Sequence, residues 1–117
     1  MQPLIHKAAL AVLELDPRRA EVSPGDFAEL RSEPDGAIAV YVVRESRLPF
    51  GLGNPTHLRA GTLGKAATAL IMPALERRAH LRVRVVEVDP AHLSSKGVNT
   101  VFISVWGNPD DLSPFSA

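Results

Sequence analysis

The hydrophobic positions of the chain fall into short β-branched runs and into longer stripes with helical spacing. Three runs predict β-strands, at residues 37–44, 81–89 and 100–106. The second and third runs are neighbours in the chain and most simply form an antiparallel hairpin. The first and second form a right-handed parallel crossover if both lie in one sheet.

Two helices are predicted before the first strand. Residues 4–15 carry an apolar stripe with helical spacing that Asp16-Pro17 ends, and a strand over residues 10–15 is the alternative. The stripe consists of Leu4, Ala8, Ala11 and Leu15. A second helix begins at Ser23, whose hydroxyl suits an N-cap, with Pro24 in the first helical position, and it ends at the turn of residues 33–36.

A third and longer helix is predicted over residues 62–80, with Thr62 as its N-cap. Pro73 lies inside this helix and is expected to kink it, because proline lacks the N–H donor and clashes with the preceding turn. Residues 45–61 contain three glycines and two prolines, and they predict an irregular loop.

Together these segments predict an α+β fold in which a small mixed or antiparallel sheet of three or four strands packs with about three helices. The predicted order of elements is α-α-β-α-β-β. The chain has 117 residues, which is too short for two independent cores. We therefore expect residues 1–107 to form one domain and residues 108–117, which contain Pro-Asp-Asp and Ser-Pro, to form a flexible tail.

Composition narrows the class of function. Thirteen basic and thirteen acidic residues cancel, which argues against a general attraction to nucleic acid and favours a homo-oligomer. The chain has no cysteine, so disulfides and thiolate chemistry are excluded and a cytoplasmic location is expected. The N-terminal apolar stretch is too short for a membrane span, and no membrane association is predicted.

Motifs of catalysis and of cofactor binding are absent from the sequence. The four histidines lack the spacing of metal ligands, so no metal is predicted. No serine lies in G-x-S-x-G, and no cofactor motif is present. No stretch matches a family signature, and a protein without enzymatic activity is favoured.

The glycine-rich segment 50–65 is the first candidate site, because a loop that enters a helix N-terminus leaves backbone N–H groups free for an anion. The proposed ligands are His57, Arg59, Thr62 and Lys65. A P-loop is excluded, since Arg59 stands where the motif needs glycine and Ala66 where it needs Ser or Thr. The alternative is a loop that only needs glycine dihedral angles.

The second candidate site is one face of the predicted sheet. If the aliphatic face covers the helices, the opposite face presents aromatic and basic side chains beside Val86 and Val88. Its predicted members are Tyr41, Arg82, Arg84, Phe102 and Trp106. This face is predicted first as a homodimer interface, second as a surface for single-stranded nucleic acid, and third as a surface covered by the N-terminal helix.

The leading functional hypothesis is therefore a small binding protein that self-associates through this sheet face. The alternative is a module, or an enzyme, for a small anionic ligand bound at segment 50–65. Weak binding of single-stranded nucleic acid is the third hypothesis.

Overall fold

Six antiparallel strands and one α-helix make up the part of the chain that the computed structural model describes, which is residues 1–14, 17, 21–44, 55–89 and 100–112. The elements in chain order are β1 (Gln2–Leu13), β2 (Phe27–Ser32), β3 (Ile38–Arg44), β4 (Thr56–Leu63), α1 (Lys65–Glu76), β5 (Arg82–Asp89) and β6 (Thr100–Gly107). A short 3-10 helix, Pro109–Leu112, follows β6.

The strands close into a barrel in the order β1-β4-β3-β2-β5-β6. The barrel is built from two three-stranded sheets, β4-β3-β2 and β5-β6-β1, which meet along two short lines of pairing. Between β2 and β5 the pairing consists of Phe27 with Arg84 and Ala28 with Val83. Between β1 and β4 it runs from Leu10 only to the end of β1. We call these two lines the seams of the barrel.

Aliphatic side chains fill the interior of the barrel. They come from alternate positions of the strands, and they include Ile38, Val40, Val42, Val83, Val85, Val101, Ile103 and Val105. The helix α1 adds Ile71 and Ala74, both fully buried. The four aromatic residues of the described ranges, Phe27, Tyr41, Phe102 and Trp106, all lie outside this core. The rings are therefore on the outer surface of the barrel.

Three predicted strands and the longest predicted helix are present. The strands are β3, β5 and β6, and β5 and β6 pair in antiparallel orientation, as the hairpin prediction requires. The helix α1 lies within the predicted range and contains Pro73. It is shorter than predicted, since its N-cap is Gly64 and its C-cap is Arg77.

The predicted fold class, however, is wrong. The order is β-β-β-β-α-β-β, with one α-helix instead of three in the described residues. The first predicted helix is strand β1, close to the alternative that was considered for residues 10–15. The pairing of β1 with its neighbours shifts register at three places, and each shift interrupts the alternation of a regular strand. The resulting spacing of leucine and alanine resembles that of a helix.

The second predicted helix is a turn followed by strand β2. Ser23 was predicted to cap a helix by accepting a hydrogen bond through its hydroxyl. No helix begins there, and the Ser23 N–H instead donates to the Asp26 carboxylate at 2.9 Å. Gly25 has a φ of +97°, and its N–H donates to the Val85 carbonyl at 2.7 Å. The backbone of this turn is therefore hydrogen-bonded to β5, and the residues that follow the turn continue as strand β2 instead of a helix.

The predicted loop at residues 45–61 is also corrected in part. Residues 55–61 belong to the approach and body of β4, which places Thr62 in a strand and not at a helix N-cap. Residues 45–54 lie outside the described part of the chain. In the segment predicted to be a tail, Arg77 donates to the Asp111 carbonyl at 2.9 Å, which fastens the 3-10 helix to the end of α1.

Candidate functional site

The outer side of β5 carries a symmetric charge pattern. Its outward residues pair with evenly spaced residues of β6: Arg82 with Trp106, Arg84 with Ser104, Glu87 with Phe102, and Asp89 with Thr100. The register shifts between Val85 and Glu87, and the intervening Val86 is 38% exposed. Two positive residues therefore precede Val86 and two negative residues follow it, and the four are evenly spaced when counted along their partners Trp106, Ser104, Phe102 and Thr100 on β6.

Aromatic side chains flank this row of charges. Phe27 is 50% exposed and Trp106 is 39% exposed, so two large rings retain much of their surface beside the same row of charges. The Arg84 guanidinium lies 4.8 Å from the centre of the Phe27 ring. On the other side, Lys7 lies 4.4 Å from the centre of the Phe102 ring and forms an ion pair with Glu87.

We call this surface the β5 face. It consists of the outward side chains Phe27, Arg82, Arg84, Val86, Glu87, Asp89, Phe102 and Trp106. The structure brings together four of the five residues predicted for the sheet-face site: Arg82, Arg84, Phe102 and Trp106. The predicted N-terminal helix that would have covered them is a strand of the barrel wall.

Two predicted members of this face lie elsewhere. Tyr41 is on β3, which is separated from β5 by β2, and it stacks under Arg31 at 4.4 Å. Val88 pairs with the buried Val101 and packs against the core, since the register shift at Val86 turns it inward. Phe27 was missed because its segment was predicted to be a helix. The alternation of Ala28 and Leu30 with charged residues was the signal that could have found it.

The residues predicted to bind an anion are engaged with carboxylates. Arg59 donates through Nε to Glu14 at 2.5 Å, forms an ion pair with Glu33 and donates to the Tyr41 hydroxyl at 3.4 Å. The hydrogen bonds to Glu33, Tyr41 and Glu14 raise the pKa of Arg59 above its ordinary value. Its charge is therefore balanced within the chain.

The other three predicted anion ligands do not converge on Arg59. His57 Nε2 lies 3.0 Å from Glu29 Oε2. Thr62 pairs in register with Val12 and Ala39 within the barrel wall. Lys65 borders a cavity of about 460 Å³ at the start of α1, whose lining includes none of the other three residues.

Within the described ranges, no group of three His, Asp or Glu residues is placed to hold a metal ion. No helix in these ranges has the length and apolar character needed to cross a membrane. Comparison of the chain with protein-family models, with curated proteins and with solved structures finds no match. The geometry of the chain itself must therefore support any assignment of function.

Proposed function

We propose that the chain is a non-enzymatic interaction protein that self-associates through the β5 face. The single observation that carries this proposal is the order of charges along β5, in which Arg82 and Arg84 precede the register shift at Val86 and Glu87 and Asp89 follow it, so that the four side chains lie opposite every second residue of β6. A surface with this order is complementary to a second copy of itself.

The complementary charges meet when two copies are related by a two-fold axis through Val86. The axis reverses the direction of β5 in the second copy, so that Arg82 faces the partner's Asp89 and Arg84 faces the partner's Glu87, a carboxylate that also contacts Lys7 of its own chain. Each ion pair then occurs twice, because the interface uses the same surface on both copies. Val86 meets its own equivalent at the centre, where an apolar residue is suited to lose its contact with water.

Exposed aromatic rings supply the apolar area that such an interface needs. Phe27 and Trp106 retain half and more than a third of their accessible surface in the single chain. Aromatic and arginine side chains are the residue types most often responsible for affinity at protein interfaces. Covering them with a second copy removes from water the largest exposed rings of the described chain.

The charge balance of the β5 face favours a protein partner over nucleic acid. Two arginines and two carboxylates cancel along β5, Lys7 beside Phe102 adds a single positive charge, and the whole chain has a formal net charge of zero. Binding to a phosphate backbone draws on an excess of positive charge. Stacking of bases on Phe27 and Trp106 is therefore the less favoured use of these rings.

Light scattering coupled to size-exclusion chromatography tests the proposal. We expect the mass to rise from one chain toward two as the concentration increases from low micromolar to near-millimolar. Arg82→Glu places like charges together twice per dimer and is expected to weaken association about tenfold. Arg82→Glu combined with Asp89→Arg restores opposite charges across the axis and is expected to recover the affinity.

A remote charge change provides the control. Lys65→Glu on α1 alters the net charge by the same amount as Arg82→Glu but lies outside the β5 face, and association is expected to be unchanged. A mass of one chain at every concentration contradicts the proposal, as does a double variant that associates as weakly as Arg82→Glu. Salt-sensitive binding of single-stranded DNA or RNA would instead support the nucleic-acid hypothesis.

Two further parts of the functional hypothesis remain proposals. A cytoplasmic location is supported by the absence of cysteine, and fractionation of cells that express a tagged chain tests it. A small anionic ligand is supported only by the cavity beside Lys65. Thermal-shift measurements with phosphate, sulfate and nucleotides test that ligand, and no stabilisation by any of them counts against it.

A further inference from the structure

One edge of β2 lacks a strand partner within the described chain. The pairing of β2 with β3 continues as far as Ser32 with Ile38, whereas its pairing with β5 ends at Ala28 with Val83. Among the described residues, the edge of β2 that faces β5 therefore has no strand partner from Glu29 onward. An unpaired strand edge offers N–H and C=O groups to any extended chain that lies beside it.

A groove of about 320 Å³ lies along this edge. One wall is β2, and the opposite wall is the end of α1 with the turn that leads into β5. Its lining residues are Ala28, Glu29, Leu30, Leu75, Arg78, Ala79, His80, Leu81 and Val83. The apolar members come from the barrel interior and from α1, so the groove provides both a backbone edge and apolar contacts for side chains.

Arg78 is a notable member of this lining because of its backbone conformation. The Ala79 N–H donates to the Ala74 carbonyl and the Arg78 N–H donates to the Leu75 carbonyl, both at 3.0 Å, which is the hydrogen-bond pattern of a Schellman motif. Arg78 has a φ of +54° in this motif, at a position where glycine is the usual residue. A residue with a side chain is less favourable there than glycine, which is consistent with a functional role for the arginine side chain.

The groove contains one cation whose charge is not balanced by its neighbours. The Arg78 guanidinium forms no hydrogen bond or ion pair with any residue of the described ranges. Glu29 is the carboxylate of the lining, and it is already in contact with His57 and Arg31. Arg78 therefore contributes to this wall a positive charge that its neighbours do not balance.

We propose that this groove binds an extended peptide segment that carries an acidic side chain. The peptide backbone pairs with the free edge of β2, its apolar side chains contact Leu30, Leu75 and Leu81, and its carboxylate accepts hydrogen bonds from the Arg78 guanidinium. An extended segment is the occupant that suits a strand edge, and the unpaired cation selects an acidic one over a basic one. This site is separate from the β5 face and does not depend on self-association.

Titration of the labelled chain with a blocked pentapeptide tests the inference by amide NMR. The probe alternates valine and threonine around a central glutamate. We expect amide shifts at residues 29–32 and 78–81, and slower hydrogen exchange along the free edge of β2. A matched peptide with lysine in place of glutamate is expected to bind about tenfold more weakly. A peptide with proline next to the glutamate lacks a backbone donor and is expected not to bind.

The substitution Arg78→Gly separates binding from folding. Glycine suits the left-handed conformation at this position, so the thermal midpoint is expected to equal or exceed that of the native chain. Binding of the glutamate peptide is expected to weaken about tenfold or more, because a charge-assisted hydrogen bond is lost. Lys65→Ala removes a cation at the other end of α1, and it is expected to leave peptide binding unchanged.

Three outcomes would overturn the inference. The first is no shift in the native chain at near-millimolar glutamate peptide. The second is equal binding of that peptide by the Arg78→Gly variant and by the native chain. The third is a set of shifts confined to the β5 face, which would assign the peptide to the surface proposed for self-association.

Discussion

The contact between α1 and the barrel can be measured through Ile71. This side chain is fully buried, whereas its neighbour Leu70 is 42% exposed on the same helix. Truncation of either residue to alanine removes three carbon atoms. The pair therefore compares the same chemical change at a buried and at an exposed position of one helix.

The expected magnitudes follow from burial. Loss of three buried carbons at Ile71 removes about 2.4 kcal/mol of transfer free energy, and the cavity adds about 1 kcal/mol. The higher helix propensity of alanine returns about 0.4 kcal/mol, so Ile71→Ala is expected to lower the free energy of unfolding by about 3 kcal/mol. At Leu70 slightly more than half of the surface is buried and no closed cavity forms, so Leu70→Ala is expected to lower it by about 1 kcal/mol.

Urea denaturation followed by far-ultraviolet circular dichroism provides the measurement. The two variants are expected to share the m-value of the native chain, because the surface exposed on unfolding barely changes. Ile71→Ala and Leu70→Ala should therefore differ by about 2 kcal/mol in the free energy of unfolding. Equal losses in the two variants, or a loss at Ile71 below about 1 kcal/mol, would refute the packing of α1 described above.

Three further substitutions test other features of the fold. Gly107→Ala would place a Cβ 2.8 Å from one leucine side-chain end and 3.0 Å from another, so denaturation should show a loss of about 1 kcal/mol. Gly64→Ser adds a capping hydroxyl at an N-cap that has none, with no atom within 4 Å of the new Cβ, and should raise the free energy of unfolding by about 0.5 kcal/mol. Arg59→Gln should lower the thermal midpoint, because the ion pairs with Glu14 and Glu33 are lost. An equal lowering in Lys65→Gln would show that these ion pairs are not the cause. Because its contacts raise the pKa of Arg59, its contribution is complete at every pH below its unfolded-state pKa and is lost only as the pH rises through the folded value, so the lowering should be the same at neutral and mildly alkaline pH.

The strands that were predicted correctly are those in which buried and exposed residues alternate as their apolar and polar residues do. β3, β5 and β6 bury every second residue over most of their length. In β4, the buried residues Ala60, Gly61 and Leu63 do not alternate, because the register with β3 shifts beside Val40. The strand character of β4 arises from its position between β1 and β3, which a local pattern does not contain.

The candidate site was predictable to the same extent. Strict alternation places Arg82, Arg84, Phe102 and Trp106 on the outer side, as the structure does. The same alternation places Glu87 inside with Val85, and only the register shift at Val86 turns the glutamate outward. The symmetric charge pattern therefore depends on an irregularity of strand pairing, and the position of such a β-bulge cannot be read from the local sequence. The carboxylates that engage Arg59 come from distant segments and were missed for a similar reason.

Because the core is aliphatic, the intrinsic fluorescence of the chain comes from a tryptophan on its surface. Trp106 is the single tryptophan, and it stands on the outside of the barrel wall, 39% exposed. Its emission therefore samples solvent and surface contacts more than internal packing. A second copy that covers the β5 face would change the surroundings of the indole ring, whereas unfolding would change them less than in a protein with a buried tryptophan. In this chain the fluorophore is a natural sensor of what touches the surface.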